Sequence, residues 1–337
     1  MGWTVLDAGD EKLLRAAYAL RVAAASHDLP GEPQPCWYQF AGRVQLPRSG
    51  FHQQIRVLAE GSELVGGYRL ELPMLENLDA AVLELAVAPD QRCRGTGRKL
   101  LEHAARAARQ EGRQRLVMDS HSPLHPEPES ETASFLRAVG AKPVAAVTWY
   151  RLHYERMDEH EYGRMLEDAR ERSARYETVS WIDEAPDSDQ QDMAVLMGYA
   201  LSGQPSDSLD WRPAPWTVDR LAGYDRLMRT CRTTRFTTAA RDRESGALVG
   251  ETTLALTHTP RTHATQCETI VAPPHRGHGL GIRLKLENLR FALTSEPLLK
   301  LIDTLVADSN GPMIDINRPL GFHPHRTFIR WQLELPR

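Results

Sequence analysis

The chain carries one pattern twice. Val87-Ala88-Pro89 returns 184 residues later as Val271-Ala272-Pro273, and at that spacing Arg92 falls on Arg276, Gly95 on Gly279, Gly97 on Gly281 and Leu100 on Leu284. Upstream, Leu64-Val65-Gly66 falls on Leu248-Val249-Gly250 and Glu84 on Glu268; downstream, Asp119 falls on Asp303. An ungapped register over the 56 positions from Leu64 to Asp119 marks a duplicated domain, because solenoid units run to only ~20–50 residues. A length of 337 residues suits two domains of ~100–200 residues each. The reading places one domain at 1–153, a connecting helix at 154–177 and a second domain at 178–337.

Both copies show a similar order of elements. A helix (Glu11 to Ala25; Asp189 to Leu201) precedes a less regular stretch, then two strands (Ile55 to Ala59 and Leu64 to Leu72; Arg235 to Ala240 and Leu248 to Leu256). A third strand (Val82 to Val87; Cys267 to Val271) runs into a glycine-rich turn, a helix and a further strand. Antiparallel strands followed by a β-turn-α-β unit imply an α+β fold, with a mixed, mostly antiparallel sheet and flanking helices in each copy. Between the copies, Tyr154, Met157, Tyr162, Met165, Leu166 and Ala169 share one face of a helix whose other positions are charged.

Composition narrows the function. With 41% apolar and 26% charged residues the chain can fill real cores, and a net charge of −4 argues against a dedicated nucleic-acid binder. Four dispersed cysteines form no metal-type spacing, and no basic segment leads into an apolar run at the amino terminus. No window reaches the ~18 apolar residues of a membrane span. The expectation is a cytoplasmic protein with reduced thiols, no metal and no membrane partner, present as a monomer or homodimer.

The two turns, Gln91-Arg-Cys-Arg-Gly-Thr-Gly97 and His275-Arg-Gly-His-Gly-Leu-Gly281, each follow a strand and open a helix. Glycine lets backbone approach a bulky anion, and a helix start offers unpaired N–H groups with partial positive charge. Arg92, Arg94 and Arg98 add charge in the first copy, Arg276 and His278 in the second. Neither turn holds the Gly-Lys-Ser/Thr of a Walker loop. Asp119 and Asp303 stand where a dinucleotide fold places its ribose-binding acid, but the third glycine of that fingerprint is Leu100 or Ile282 here.

At these residues the sequence resembles the GNAT superfamily of acyl-CoA N-acyltransferases. Arg92-x-x-Gly95-x-Gly97 and Arg276-x-x-Gly279-x-Gly281 look like its pyrophosphate loop, the preceding Val-Ala-Pro like its splayed strand, and Asn310 with Asn317-Arg-Pro-Leu-Gly-Phe322 like its last helix and exit. The likeness extends to actinobacterial tandem proteins of the superfamily, among whose two-copy members is mycothiol synthase. It implies that acetyl-CoA is held by Ile270, Val271, Arg276, Gly277, His278, Gly279, Leu280, Gly281, Ile282 and Asn310. The matching set in the first copy is Val87, Arg92, Arg94, Gly95, Thr96, Gly97 and Arg98.

The resemblance also implies chemistry, the acetylation of a primary amine of a small molecule or peptide by direct attack. Glu84 and Glu268 occupy the strand position where the superfamily often keeps a base, although a carboxylate there also serves simply to solvate a strand. The family's tyrosine acid is replaced by Asn317 in the second copy and Leu136 in the first; Asn can hydrogen-bond a sulfur but cannot supply a proton at neutral pH. The second copy is therefore the expected catalytic one, with Glu268 and Asn317 as its candidates. The alternative is a non-catalytic acyl-CoA-binding sensor or scaffold. His121 and His125 are separated by prolines and make a poor metal pair, while Trp211 and Trp216 either line an acceptor pocket or pin a loop.

Overall fold

The computed structural model describes residues 2–122, 124, 130–202, 211–212, 215–258 and 260–336. In chain order the elements are β1 (Gly2–Val5), α1 (Glu11–Asp28), α2 (Trp37–Gln45), β2 (Phe51–Glu60), β3 (Glu63–Pro73), β4 (Ala80–Val87), α3 (Thr96–Gln110), β5 (Arg115–Ser122), α4 (Glu131–Ala138) and β6 (Lys142–His153). There follow α5 (Glu159–Arg172), β7 (Tyr176–Ile182), α6 (Gln190–Ser202), α7 (Val218–Thr230), β8 (Thr234–Asp242), β9 (Leu248–Leu256), β10 (His263–Val271), α8 (Leu280–Ser295), β11 (Leu301–Ala307), α9 (Gly311–Asn317) and β12 (His323–Glu334). The architecture is the expected α+β with mixed sheet. The helices α2 and α7 replace stretches that read as less regular, because Gly42 and Gly223 and several arginines dilute their apolar stripes. No helix among the described residues is long and apolar enough to cross a membrane.

The chain divides into two compact units, Met1–Val147 with Ser206–Arg212 and Arg326–Arg337, and Thr148–Pro205 with Pro213–His325. In the first unit the strand order is β1-β2-β3-β4-β5-β12. Successive side chains of β3 point to opposite faces, so Tyr68, Leu70 and Leu72 pack on Leu100, Leu101 and Ala104 of α3. Arg69, paired with Ile55 in register, faces the side where Leu14, Ala17 and Val44 of α1 and α2 bury Val57. The last strand of the chain pairs antiparallel with β5, Trp331 opposite Met118, and Trp331 is fully buried with its indole N–H donated to Ser120 at 2.9 Å.

In the second unit the order is β6-β11-β10-β9-β8-β7. Leu254 and Leu256 of β9 pack on Leu286, Leu289 and Ala292 of α8, each fully buried aliphatic contributing about 1.5–3 kcal/mol. On the other face, Met193, Leu196 and Met197 of α6 and Leu221 of α7 cover Ala239, Leu248 and Ile270. The charged helix α5 lies on α8, with Arg170 on Glu287 at 3.0 Å and Tyr162 hydrogen-bonded to the Leu286 carbonyl.

Candidate active site

Two irregularities in β10 create the cleft of the second unit. The strand pairs in parallel with β11 only from His263 to Thr265, so its later part leaves its neighbour and exposes a backbone edge. Against β9 the register slips between Gln266 and Thr269, a bulge that inserts one residue at Cys267–Glu268. In the first unit β4 likewise parts from β5 after Val82, but its register with β3 runs without a shift from Gly66–Val87 to Glu71–Val82. The two copies therefore share the splayed edge and differ in the bulge.

Glu268 lines a cavity of about 400 Å³, counting its open mouth, with Trp181, Met193, Met197, Tyr224 and Glu251. Glu251 is 1% exposed, and its Oε2 accepts the Thr253 hydroxyl at 3.1 Å. Burial first, then the neighbouring Glu268, pushes its carboxyl up to about 8. The Glu268 carboxyl also rises above the usual range through crowding by protein, although its side chain reaches solvent at the mouth. Two carboxyls facing one cavity titrate as a pair, and the exposed member is the one a ligand would meet. Burial, and then both glutamates, raise the Cys267 thiol, which disfavours its thiolate form. Arg235, also on the wall, is held at 2.7 Å by Asp225, and both are buried.

The glycine turn follows the end of β10. Gly277 and Gly279 have φ of 82° and 76°, a left-handed backbone that favours glycine. Most helices here start on a capping side chain (Asp10, Ser130, Asp158, Thr217, Asn310), whereas α3 and α8 start on Gly95 and Gly279 with no side-chain cap. The first helical bond of α8 runs from Arg283 N to Gly279 O at 3.1 Å, which leaves the preceding N–H groups free for an anion. Leu280 is buried and Ile282 packs on the core, so these two offer backbone only; Ile270 and Val271 border the core as well. His278 is exposed, and Arg276 is exposed with its Nε on the Val271 carbonyl at 3.0 Å. A Cβ at Gly281 would meet Ile316 at 2.8 Å, so that glycine serves the approach of α9.

The first unit has the same turn in a different electrostatic setting. Gly95 is left-handed at 81°, Val87 and Thr96 are buried, Gly97 lies on Phe135, and Arg94 and Arg98 are exposed. Arg92, however, is engaged by Asp28 at 2.6 Å and Glu131 at 3.0 Å. Glu84 is bound by Arg69 at 2.5 Å, Arg43 at 3.6 Å and Arg21 at 3.9 Å. Although desolvation opposes it, the three guanidiniums hold the carboxyl down at about 2. A carboxylate this stabilised is a poor proton acceptor.

That contrast yields a prediction about stability. Because its folded pKa is depressed, Glu84 stabilises the fold above its unfolded value of ~4.5, and the contribution disappears as pH falls toward about 2. With 34% of its side chain exposed, solvent screens the cluster, and Glu84→Gln should cost about 1–2 kcal/mol at pH 7 in urea denaturation. The difference between the two proteins should vanish near pH 2. A variant as stable as the parent at neutral pH would remove this role.

The remaining sequence candidates are placed as follows. Asn310 caps α9, accepting Met313 N at 3.3 Å. Asn317 is 1% exposed; its Oδ1 accepts Lys285 Nζ at 2.9 Å and its Nδ2 has no partner. Lys285, 4% exposed above the Phe322 ring, is lowered to about 7 by burial. The corresponding core positions in the first unit, Leu101 and Leu136, are apolar. Asp119 and Asp303 are bound by Arg330 at 3.0 Å and Arg151 at 2.7 Å, so neither is free for a ribose. Trp211 packs on Val117 and Val144, Trp216 packs beside α6, and His125 lies outside the described residues.

Four site residues carry no signal that the sequence reading used. Glu251, Trp181 and Tyr224 reach the cavity from other elements, and Arg172 at the end of α5 comes within 3.5 Å of where a Gly279 Cβ would stand. Arg172 is exposed with no carboxylate partner among the described residues, and adds a cation to the turn.

Comparison with known proteins then gives consistent matches. The model described as Acetyltransferase (GNAT) family matches residues 14–126. Over its whole length the chain is similar to a tandem GNAT protein from the clavulanic acid biosynthesis pathway, at 27% identity and TM-score 0.84, covering 100% of this chain and 99% of that one. The fold is also similar to a GCN5-related N-acetyltransferase from Sphaerobacter thermophilus (14%, TM-score 0.64, 100% and 96% covered). It is further similar to Saccharomyces cerevisiae N-myristoyltransferase (11%, TM-score 0.60, 99% and 80% covered). No curated protein matches the sequence.

Proposed function

We propose that the second unit of this chain, which is similar to a tandem GNAT protein over its whole length and matches the GNAT acetyltransferase family over residues 14–126, transfers an acetyl group from acetyl-CoA to a primary amine. One observation carries the choice of unit. Glu268 stands on a bulge with a raised carboxyl at an open cavity, while its counterpart Glu84 is neutralised by three arginines. The residues present suit the cosubstrate: uncapped N–H groups at Gly279–Ile282, left-handed glycines and the cations Arg276 and Arg172, which have no carboxylate partner among the described residues, fit a pyrophosphate, and the splayed edge of β10 fits an extended amide arm.

Acetyl-CoA, when bound, supplies the thioester carbonyl carbon. Glu268 takes a proton from the acceptor ammonium, and the freed nitrogen forms the C–N bond as the C–S bond breaks. Of the two protons that nitrogen sheds, one reaches the thiolate through water and the other is released from Glu268. Asn317 is engaged by Lys285 in the core, so solvent is the simplest donor to sulfur. The second reading, an acyl-CoA-binding module without turnover, is favoured only by this lack of an acid.

Free-thiol release from acetyl-CoA over a panel of amines tests turnover directly. For the cradle, calorimetry should show CoA and acetyl-CoA binding at least tenfold tighter than NAD(H) or ATP. Gly279→Val should weaken CoA, because a β-branched residue resists φ near 76° and its side chain fills the approach. Nicotinamide cofactor binding as tight as CoA would overturn the assignment.

A further inference from the structure

We propose that the acceptor cavity of the second unit selects a small primary amine with an apolar body and no carboxylate, and that Glu251 is the residue imposing this choice. The inference rests on the acetyltransferase reading of that cavity and names its substrate class. The charge on the wall is one-sided: Asp183, Asp225, Glu251 and Glu268 face a single guanidinium, Arg235. Arg235 is already held by Asp225 at 2.7 Å, and its own backbone N–H goes to Asp183 at 3.0 Å. Glu251 and Glu268 thus form no salt bridge among the described residues, Arg235 acting on Glu251 only from a distance.

An ammonium entering here gains the Glu268 carboxylate and favours ionisation of Glu251, whose carboxyl is otherwise pushed up to about 8. A substrate carboxylate would have to compete with Asp225 for Arg235, whose Nε makes no hydrogen bond of its own, and would be desolvated beside the acids of the wall, a cost that rises steeply as water is excluded. The rest of the wall supplies the apolar preference, since Met193, Met197, Leu221 and Trp181 offer thioether, aliphatic and indole surface. The cavity's equivalent in the first unit has the opposite sign, with Arg21 and Arg69 on the wall against Glu84.

Glu251 is the selective member because it is buried. Glu268 reaches solvent, which screens it, whereas the 1%-exposed Glu251 acts through protein. The unit-one residue at the same place in the strand pairing is Gly67, so this carboxylate belongs to the second copy alone.

The test uses the full chain and two probe pairs, 2-phenylethylamine against phenylalanine and hexylamine against 6-aminohexanoate. Binding is measured by calorimetry with CoA present, and turnover by thiol release from acetyl-CoA. Each amine should bind at least 30-fold tighter than its carboxylate-bearing partner. Glu251→Gln should raise the amine Kd tenfold or more and shrink that selectivity, with the Kd of CoA unchanged. Glu251→Asp, which keeps the charge, should restore part of it. Selectivity in the unaltered protein is independent of any folding defect in the variants. Equal binding within the pairs, or no amine binding, overturns the inference. Selective amine binding without thiol release leaves it standing and overturns the acetyltransferase reading instead.

Discussion

Glu268→Gln is expected to lower kcat/KM for an accepted amine by ~10²–10⁴ at neutral pH, while leaving the affinity for acetyl-CoA nearly unchanged. The amide keeps the shape of the side chain on the bulge but cannot take a proton. The sign of the pH dependence follows from the raised carboxyl. In the parent protein the ionised fraction of Glu268 grows as pH rises through its elevated pKa, so kcat/KM should climb there. In the variant that limb is lost, and the deficit should narrow as pH nears the acceptor's own pKa, where free amine needs no base. Glu251, pushed up to about 8 beside it, ionises on the same limb, so the profile reports the pair. A constant deficit across pH would make Glu268 a group that positions substrate. An unaltered rate at pH 7 would leave solvent as the acceptor.

Disabling the two cradles separately should give unequal results. Gly279→Val with Arg276→Ala is expected to reduce thiol release to background, because it fills the anion approach and removes a cation from the turn. Gly95→Val with Arg92→Ala should retain at least half of the parent rate. Arg92 is engaged by Asp28 and Glu131, so its loss should appear as stability: about 0.5–1 kcal/mol, or roughly 2–4 °C in Tm. A folded first-unit variant without activity, checked by circular dichroism, would move catalysis to the other copy.

The sequence by itself determined the duplication, the α+β order of elements and both glycine turns, since each depends on local pattern. Gly277 and Gly279 announced a backbone that only glycine adopts at little cost. It also put Glu84 and Glu268 at equivalent positions, and could not tell them apart. Their chemistry is set by groups distant in the chain: Arg21 and Arg43 come to Glu84 from α1 and α2, while Glu251 and Tyr224 come to the cavity of Glu268 from β9 and α7. The bulge in β10 follows from strand register, which an ungapped alignment of the copies does not reveal. Asn317 likewise reads as a polar residue near the reaction until Lys285 is found on its carbonyl oxygen in the core. A carboxyl's proton affinity and an amide's availability depend on burial and on partners within ~4–6 Å, quantities that exist only once the chain has folded.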